Sequence, residues 1–419
     1  MITVGALVGD RGLSYAVQRN IAVLLSAQAI SAGAITLSVA LGSVMARRLT
    51  GSDEVSGIPA TVNLVAGAFA AYSASRLMAA RGRRVGLSAG YMLGAIGAVV
   101  AASFAIAGSF LGFLLGSAMV GGGNAFIQLS RYAAAELVPV AIRGRTVGLM
   151  LFGSVIGAML AVGLARIVER GARSFDIDTI QLSWLTAGVL LACGAALVGS
   201  MFRSMPPAPT PEVDGALPVE DRSTWQVLRA PTVLLGMLSL VTAQGVMVML
   251  MNLMPLHADH LGASLPTISL LFSGHFVGMF GFALVTGRLV DRWGARIVSA
   301  SGGGLMISSA VVAILAVTPL DLGLSLFLLG LGWNFCFVSG STLLTEALRP
   351  AERTKVQGTI DFFGYLAAAT CVAGGGIAFG AFGFEAVAVL GLVLASALVA
   401  ALSIGWLRRA PIAATAADS

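Results

Sequence analysis

The chain has 419 residues, of which 57% are hydrophobic and 11% charged, against roughly 25% charged in ordinary soluble domains. So little charge cannot cover a soluble domain of this length without leaving large apolar patches, which excludes a soluble globular protein and makes lipid the main solvent. The formal net charge of +6 would favour nucleic-acid binding in a soluble chain, but membrane topology accounts for it, and no nucleic-acid partner is expected.

Apolar stretches long enough to cross a bilayer recur along the chain. In order they fall near 20–45, 56–78, 85–107, 109–130, 145–166 and 183–202, then near 231–255, 265–287, 297–318, 321–345, 356–380 and 384–407. The first is too long for a cleaved leader and reads as a retained span. Between the sixth and seventh lies the one long linker, Arg203 to Arg229, rich in Pro and acidic residues. The expected organisation is therefore an all-α membrane protein of twelve transmembrane helices. Residues 1–202 and 231–419 form two six-helix bundles, and 203–230 joins them.

Orientation follows from lysine and arginine. With the N-terminus inside, the even-numbered loops and both tails are cytoplasmic and carry 20 of the 25 basic residues; the others are Arg47, Arg48, Arg166, Arg170 and Arg173. The expected location is the cytoplasmic (inner) membrane, multi-pass, with both termini in the cytoplasm and membrane lipid around the chain.

The two halves repeat. At an offset of 210, Gly122, Asn124, Glu136, Arg143 and Gly148 match Gly332, Asn334, Glu346, Arg353 and Gly358. At 212, Arg76, Gly82 and Arg84 match Arg288, Gly294 and Arg296; at 216, Gln28 matches Gln244. Near-equal offsets in chain order indicate a duplicated six-helix unit, its copies related by a pseudo-two-fold axis along the membrane normal.

The loop from Gly287 to Arg296 reads GRLVDRWGAR, with Gly287, the pair Asp291 and Arg292, then Gly294 and Arg296. This resembles the signature loop of the major facilitator superfamily. The matching loop from Ser75 to Arg84 keeps Arg76, Gly82 and Arg84 but has Ser75 and Ala79 where the other copy has Gly287 and Asp291. The resemblance covers nearly the whole chain and implies a secondary transporter in two pseudo-symmetric bundles. These loops are then gating elements. Many drug antiporters of the family carry an Arg in the fourth span where this chain has Ser117, a departure from the proton-drug antiport pattern. The resemblance leaves the cargo open.

Ionisable groups within spans are candidates for function by default. His275 sits near the middle of the eighth span and titrates in the physiological range, so it is a candidate for proton coupling. Asn63 is its counterpart at offset 212, and the matching depths suggest that both face a central cavity. The alternative for His275 is a structural hydrogen bond between helices. Asp361, one and a half turns into the eleventh span, is the second coupling candidate. Its alternative is an electrostatic latch: the degenerate loop lacks an acid, so Asp361 could pair with Arg76 or Arg81 when the cytoplasmic side closes.

Candidates for the substrate site are Gln28, Asn63, Asn124, Gln128, Arg131, Gln244, Asn252, Trp333 and Asn334. Arg131 suits an anionic cargo, or it snorkels to the interface. The amides bind cargo or a neighbouring helix. Trp333 stacks on a flat ligand or fills space. Met247, Met249, Met251 and Met254 with His257 and His260 raise a soft-metal reading, but the methionines do not share a helical face and read as apolar filling. The glycine runs 121–123, 302–304 and 374–376 end in no Gly-Lys-Ser/Thr, so they are not phosphate loops; they suit close helix packing and rocking.

No cofactor, metal site or enzymatic activity is expected. The expected function is secondary active transport of a small organic solute as a monomer, coupled to protons, with export favoured. Import of a nutrient such as a vitamin or organic anion is the alternative, and a non-transporting receptor the distant one.

Overall fold

A computed structural model describes residues 13–139, 142–203, 205, 224–348 and 350–407. Among them the backbone is helical and forms no strand. That is what a bilayer demands, because a helix satisfies its own N–H and C=O groups where no water can. The helices are α1 (Tyr15–Leu37), α2 (Gly42–Thr50), α3 (Ile58–Ile106), α4 (Phe110–Gln128), α5 (Ser130–Glu136), α6 (Arg143–Phe175) and α7 (Thr179–Met201). After a short α8 (Thr224–Leu228) come α9 (Pro231–His260), α10 (Leu265–Phe276), α11 (Ala283–Trp293), α12 (Ala295–Ile314), α13 (Pro319–Ala347), α14 (Pro350–Phe382) and α15 (Phe384–Leu407).

Polar residues at the turns start several of these helices. Ser109, Asp178, Ser264 and Thr318 accept from backbone N–H groups of the first turns of α4, α7, α10 and α13, which satisfies donors that helix geometry leaves free. Thr318 and Asp321 cap each other's backbone reciprocally.

Ten helical stretches among the described residues are long and apolar enough to cross a membrane, and eleven if α10 and α11, bent by 44°, form one broken span. The expected span 56–78 falls in the first limb of α3. That limb is helical but carries Asn63, Arg76 and Arg81, which lowers its apolar content. Its second limb begins at Gly82, where φ is 84° and ψ 162°. Gly294, the repeat counterpart between α11 and α12, has φ 82° and ψ 149°. A side chain with a Cβ is strained in that region, so the same residue makes the same reversal in both halves.

The large side chains divide by environment. Trp184, Tyr91, Phe113 and Phe272 are fully buried, and Met247, Met249 and Met254 also belong to the core. Phe69, Leu111, Leu160, Val189 and Val393 expose 76, 78, 62, 62 and 58% of their surface. In water such outward faces would aggregate; in lipid they are the solvated side.

Within the first group of helices, α1 packs on α6 and α7, and α3 on α4 and α7; within the second, α9 packs on α13 and α14, and α12 on α13 and α15. The groups meet where α6 lies against α10, the first limb of α3 against α14, and α2 against α9. Contacts across this seam include Thr61 Oγ1, which donates to the Ala369 carbonyl at 3.3 Å, and Ser273 Oγ, which donates to the Ala158 carbonyl at 2.7 Å. At its rim Asp53 lies 2.9 Å from Arg47 and 3.8 Å from His260.

The basic loop around Gly82 is not left without partners. Arg83 pairs with Glu136 from the end of α5, with Nε donating at 3.1 Å and a second nitrogen closing the fork. Arg84 Nε donates to the Gly199 carbonyl at 2.7 Å. Arg76 and Arg84 are exposed in this loop, as are Arg288, Asp291 and Arg292 in the other, while Gly287 and Arg296 are half-buried.

Candidate functional site

The candidate residues sort by whether their polar atoms are already engaged. Gln28 on α1 donates from Nε2 to Ser154 Oγ on α6 at 3.0 Å and accepts at Oε1 from Ser130 Oγ on α5 at 3.1 Å. Asn334 on α13 accepts from Thr286 Oγ1 and donates to the Met279 carbonyl, both at 2.5 Å. Met279 lies in the π-helical turn Val277–Gly281 that separates α10 from α11. Such a turn disturbs the regular ladder, and Asn334 satisfies one of its carbonyls. Both amides therefore hydrogen-bond to neighbouring helices.

His275 on α10 is fully buried, and its Nδ1 lies 2.8 Å from the Leu326 carbonyl on α13. A carbonyl can only accept, so Nδ1 carries the hydrogen, and Nε2 has no hydrogen-bond partner among the described residues. Its repeat counterpart Asn63, half-buried, donates from Nδ2 to the Ser117 carbonyl on α4 at 3.3 Å. In each half a polar side chain of one helix thus ties the backbone of the next inner helix. Asn252 on α9 donates to the Val248 carbonyl one turn back at 2.8 Å. The side chain of Asp361 lies outside the described residues.

Asn124, Gln128 and Arg131 are different. Their spacing of four and three puts them on one helical face, across the break at Leu129 that separates α4 from α5. All three are half-buried. Asn124 Oδ1 and Arg131 Nε are buried without a hydrogen-bond partner among the described residues. The Arg131 guanidinium lies 5.1 Å from the centroid of the Tyr132 ring, and among the described residues it has no carboxylate partner.

The second bundle contributes aromatic rings. Trp333 on α13 donates from Nε1 to Gln244 Oε1 on α9 at 3.0 Å and stacks on Phe337 with centroids 4.6 Å apart and planes 16° from parallel. Phe280 meets Trp333 edge-on at 6.0 Å and stacks on Phe276 at 6.1 Å. This run of rings joins the eighth span to the tenth. Sequence reasoning singled out Trp333 alone. Phe276 with Phe280, and Trp333 with Phe337, sit four residues apart, the spacing at which helical neighbours touch, and that signal was available.

Chemically, the arrangement offers, among the described residues, a cation without a carboxylate and an amide oxygen without a partner on the first bundle, and flat apolar faces with an amide on the second. His257 stacks on Phe384 at 4.6 Å and His260 packs beside Phe379 at 5.8 Å, so both histidines beyond the methionines lie against rings.

The sequence profile of the Major Facilitator Superfamily matches residues 23–262 and 237–418. The chain is 28% identical over 389 residues to the uncharacterised MFS-type transporter YdeG of Bacillus subtilis, covering 91% of this chain and 90% of that one. It is 28% identical over 362 residues to the riboflavin transporter RfnT of Brucella anthropi, covering 86% and 89%. Its fold is similar to that of a bacterial homologue of the human lysosomal transporter Spinster in an inward-facing, occupied conformation, with a TM-score of 0.68 at 13% identity over 92% of this chain and 96% of the other.

Proposed function

The chain belongs to the major facilitator superfamily, and from that premise we propose that it is a secondary active transporter moving a small planar organic anion across the cytoplasmic membrane by alternating access. The observation that carries the cargo class is Arg131. A guanidinium in a span with no carboxylate beside it among the described residues is expensive, and an anionic solute would remove that cost. Asn124 and Gln128 on the same face would orient the solute, and Trp333 with Phe337 would stack against its ring. One relative with a named cargo that aligns over most of this chain is a riboflavin transporter, whose ligand carries a flat ring system. Together with Ser117 in place of the drug-antiporter arginine, this favours nutrient import over drug export.

The test is a thermal-shift series on purified protein with planar anions, planar cations and neutral sugars. A ligand of the folded state raises the unfolding temperature by mass action. Planar anions are expected to do so in a concentration-dependent way; stabilisation by the cations instead would overturn the cargo class.

The proposed energy source is the proton gradient, with His275 and Asp361 as the coupling groups. In proteoliposomes with an imposed pH difference, His275→Gln is expected to abolish the pH dependence of uptake while counterflow persists. Unchanged pH dependence would leave His275 with the helix-tying role it shares with Asn63. For topology, we assign residues 1–202 and 231–419 to the two bundles and 203–230 to a cytoplasmic linker. An impermeant thiol reagent applied to intact cells is expected to label a cysteine at Ser174 and spare one at Ser223; the opposite pattern would invert the orientation.

A further inference from the structure

The break in the first span brings Ser43, at the start of α2, to the seam between the bundles. There it lines a small crevice with Asn63 of α3, Ser117 of α4, Trp184 of α7 and, from the other bundle, Asn252 of α9. Trp184 and Ser117 are 1% exposed and Ser43 4%. Yet Trp184 Nε1, Ser117 Oγ and Ser43 Oγ all lack a hydrogen-bond partner among the described residues. Isolated orphans of this kind are uncommon because each forfeits its hydration; three around one crevice point to a shared partner. Asn63 and Asn252 each donate one amide N–H to a carbonyl, of Ser117 and Val248, which leaves each a second N–H and an acceptor oxygen to offer.

The chemistry of the lining selects the occupant. The indole N–H can only donate, so it needs an acceptor. A metal cation offers none and would find no carboxylate here. An anion would find no positive charge. An apolar group would leave every orphan unsatisfied. The crevice has room for about one water-sized molecule, and a buried water characteristically makes two to four hydrogen bonds. We propose that this crevice binds a single water, which accepts from Trp184 Nε1 and exchanges hydrogen bonds with the hydroxyls of Ser43 and Ser117. Since Asn252 closes the crevice from the second bundle, the water belongs to the seam itself and is released when the bundles part on this side.

The test uses the full-length protein in detergent or nanodiscs. The ultraviolet resonance Raman spectrum of the wild type minus that of Trp184→Phe isolates the indole N–H marker of Trp184. It is expected at the hydrogen-bonded position and to move to the free position in the Ser43→Ala/Ser117→Ala double variant. A free N–H in the wild type, or a bonded one that ignores the double variant, overturns the proposal. Should Trp184→Phe fail to fold, a cryo-electron microscopy map fine enough to resolve waters decides: density within hydrogen-bond reach of Trp184 Nε1, Ser43 Oγ and Ser117 Oγ supports the site, and an empty crevice refutes it. In the folded variant, cross-linking of cysteines at Thr61 and Ala369 across the seam should slow by roughly twofold to tenfold, the effect of one hydrogen bond; an unchanged rate would overturn the water's place in the seam.

Discussion

Replacing Gly376 with alanine is expected to force the seam between the bundles open. A Cβ on Gly376 would lie 2.8 Å from the Gly57 nitrogen, 3.1 Å from its Cα and 3.2 Å from the Glu54 carbonyl oxygen. All three are backbone atoms of the turn that leads into α3, so no side chain can swing aside to relieve the clash. Gly57 faces the same contact from the other side, with a Cβ there 3.1 Å from the Val372 carbonyl carbon and 3.4 Å from the Gly376 Cα. Overpacking of this kind costs about 1–3 kcal/mol. In a two-state transporter that penalty falls on the conformation in which these backbones touch, so the population shifts by about 5- to 150-fold toward the opposite state. The measurement is cross-linking of a cysteine pair at Thr61 and Ala369, whose hydroxyl and carbonyl meet at 3.3 Å across the seam. It should slow at least several-fold, while labelling from the 51–57 side rises. Gly374→Ala is the control, because nothing lies within 4 Å of a Cβ there. Equal behaviour of the two variants would refute the argument.

Arg131→Gln is expected to weaken binding of a planar anion by roughly 30-fold or more while leaving the fold intact. The guanidinium makes no ion pair among the described residues, so its removal strands no buried charge and should cost little stability. What it would cost is the charge-assisted contact to cargo. Losing one partner of a buried hydrogen-bonded charge pair costs about 2–5 kcal/mol, which is roughly 30-fold or more in affinity. Arg131→Lys keeps the charge but loses the planar fork, so it should bind more weakly than the wild type and more tightly than Arg131→Gln. Isothermal titration with the anion that gives the largest thermal shift provides the comparison. Full affinity in Arg131→Gln would return this residue to the interfacial snorkelling role, and the aromatic run on the second bundle would have to be tested alone.

Fold and family were legible in the sequence because their signals are local or repeated. A span needs about 20 apolar residues in a row, and the duplicated loops carry the same Gly82 and Gly294, which adopt nearly the same φ of 84° and 82°. The least apolar of the expected spans, the first limb of α3, is also the one whose Asn63 ties the backbone of the next helix. Single polar positions were another matter. Nothing local distinguishes Asn334, bonded on both sides, from Asn124, its repeat counterpart with a free Oδ1. The difference is Thr286 and a π-helical turn about fifty residues away, present in one half only. Gln28 is tied by Ser130 and Ser154, and His275 by Leu326; in a helical bundle such partners come from other helices.

The run Gly374–Gly376 makes the same point within three identical residues. An α-helix turns 100° per residue, so successive glycines face three directions, and composition cannot say what lies in each. Packing gives Gly374 open space, sets Gly375 against Met249 and Leu253 of its own bundle, and sets Gly376 against the backbone of the other. The sequence by itself determined that this chain is a duplicated bundle of membrane helices, because apolar length and repetition are properties of the chain. Only the tertiary structure decided which amides are already spoken for, which arginine has no carboxylate beside it among the described residues and which glycine seals the seam, because each of those depends on what a distant helix brings within 3 or 4 Å.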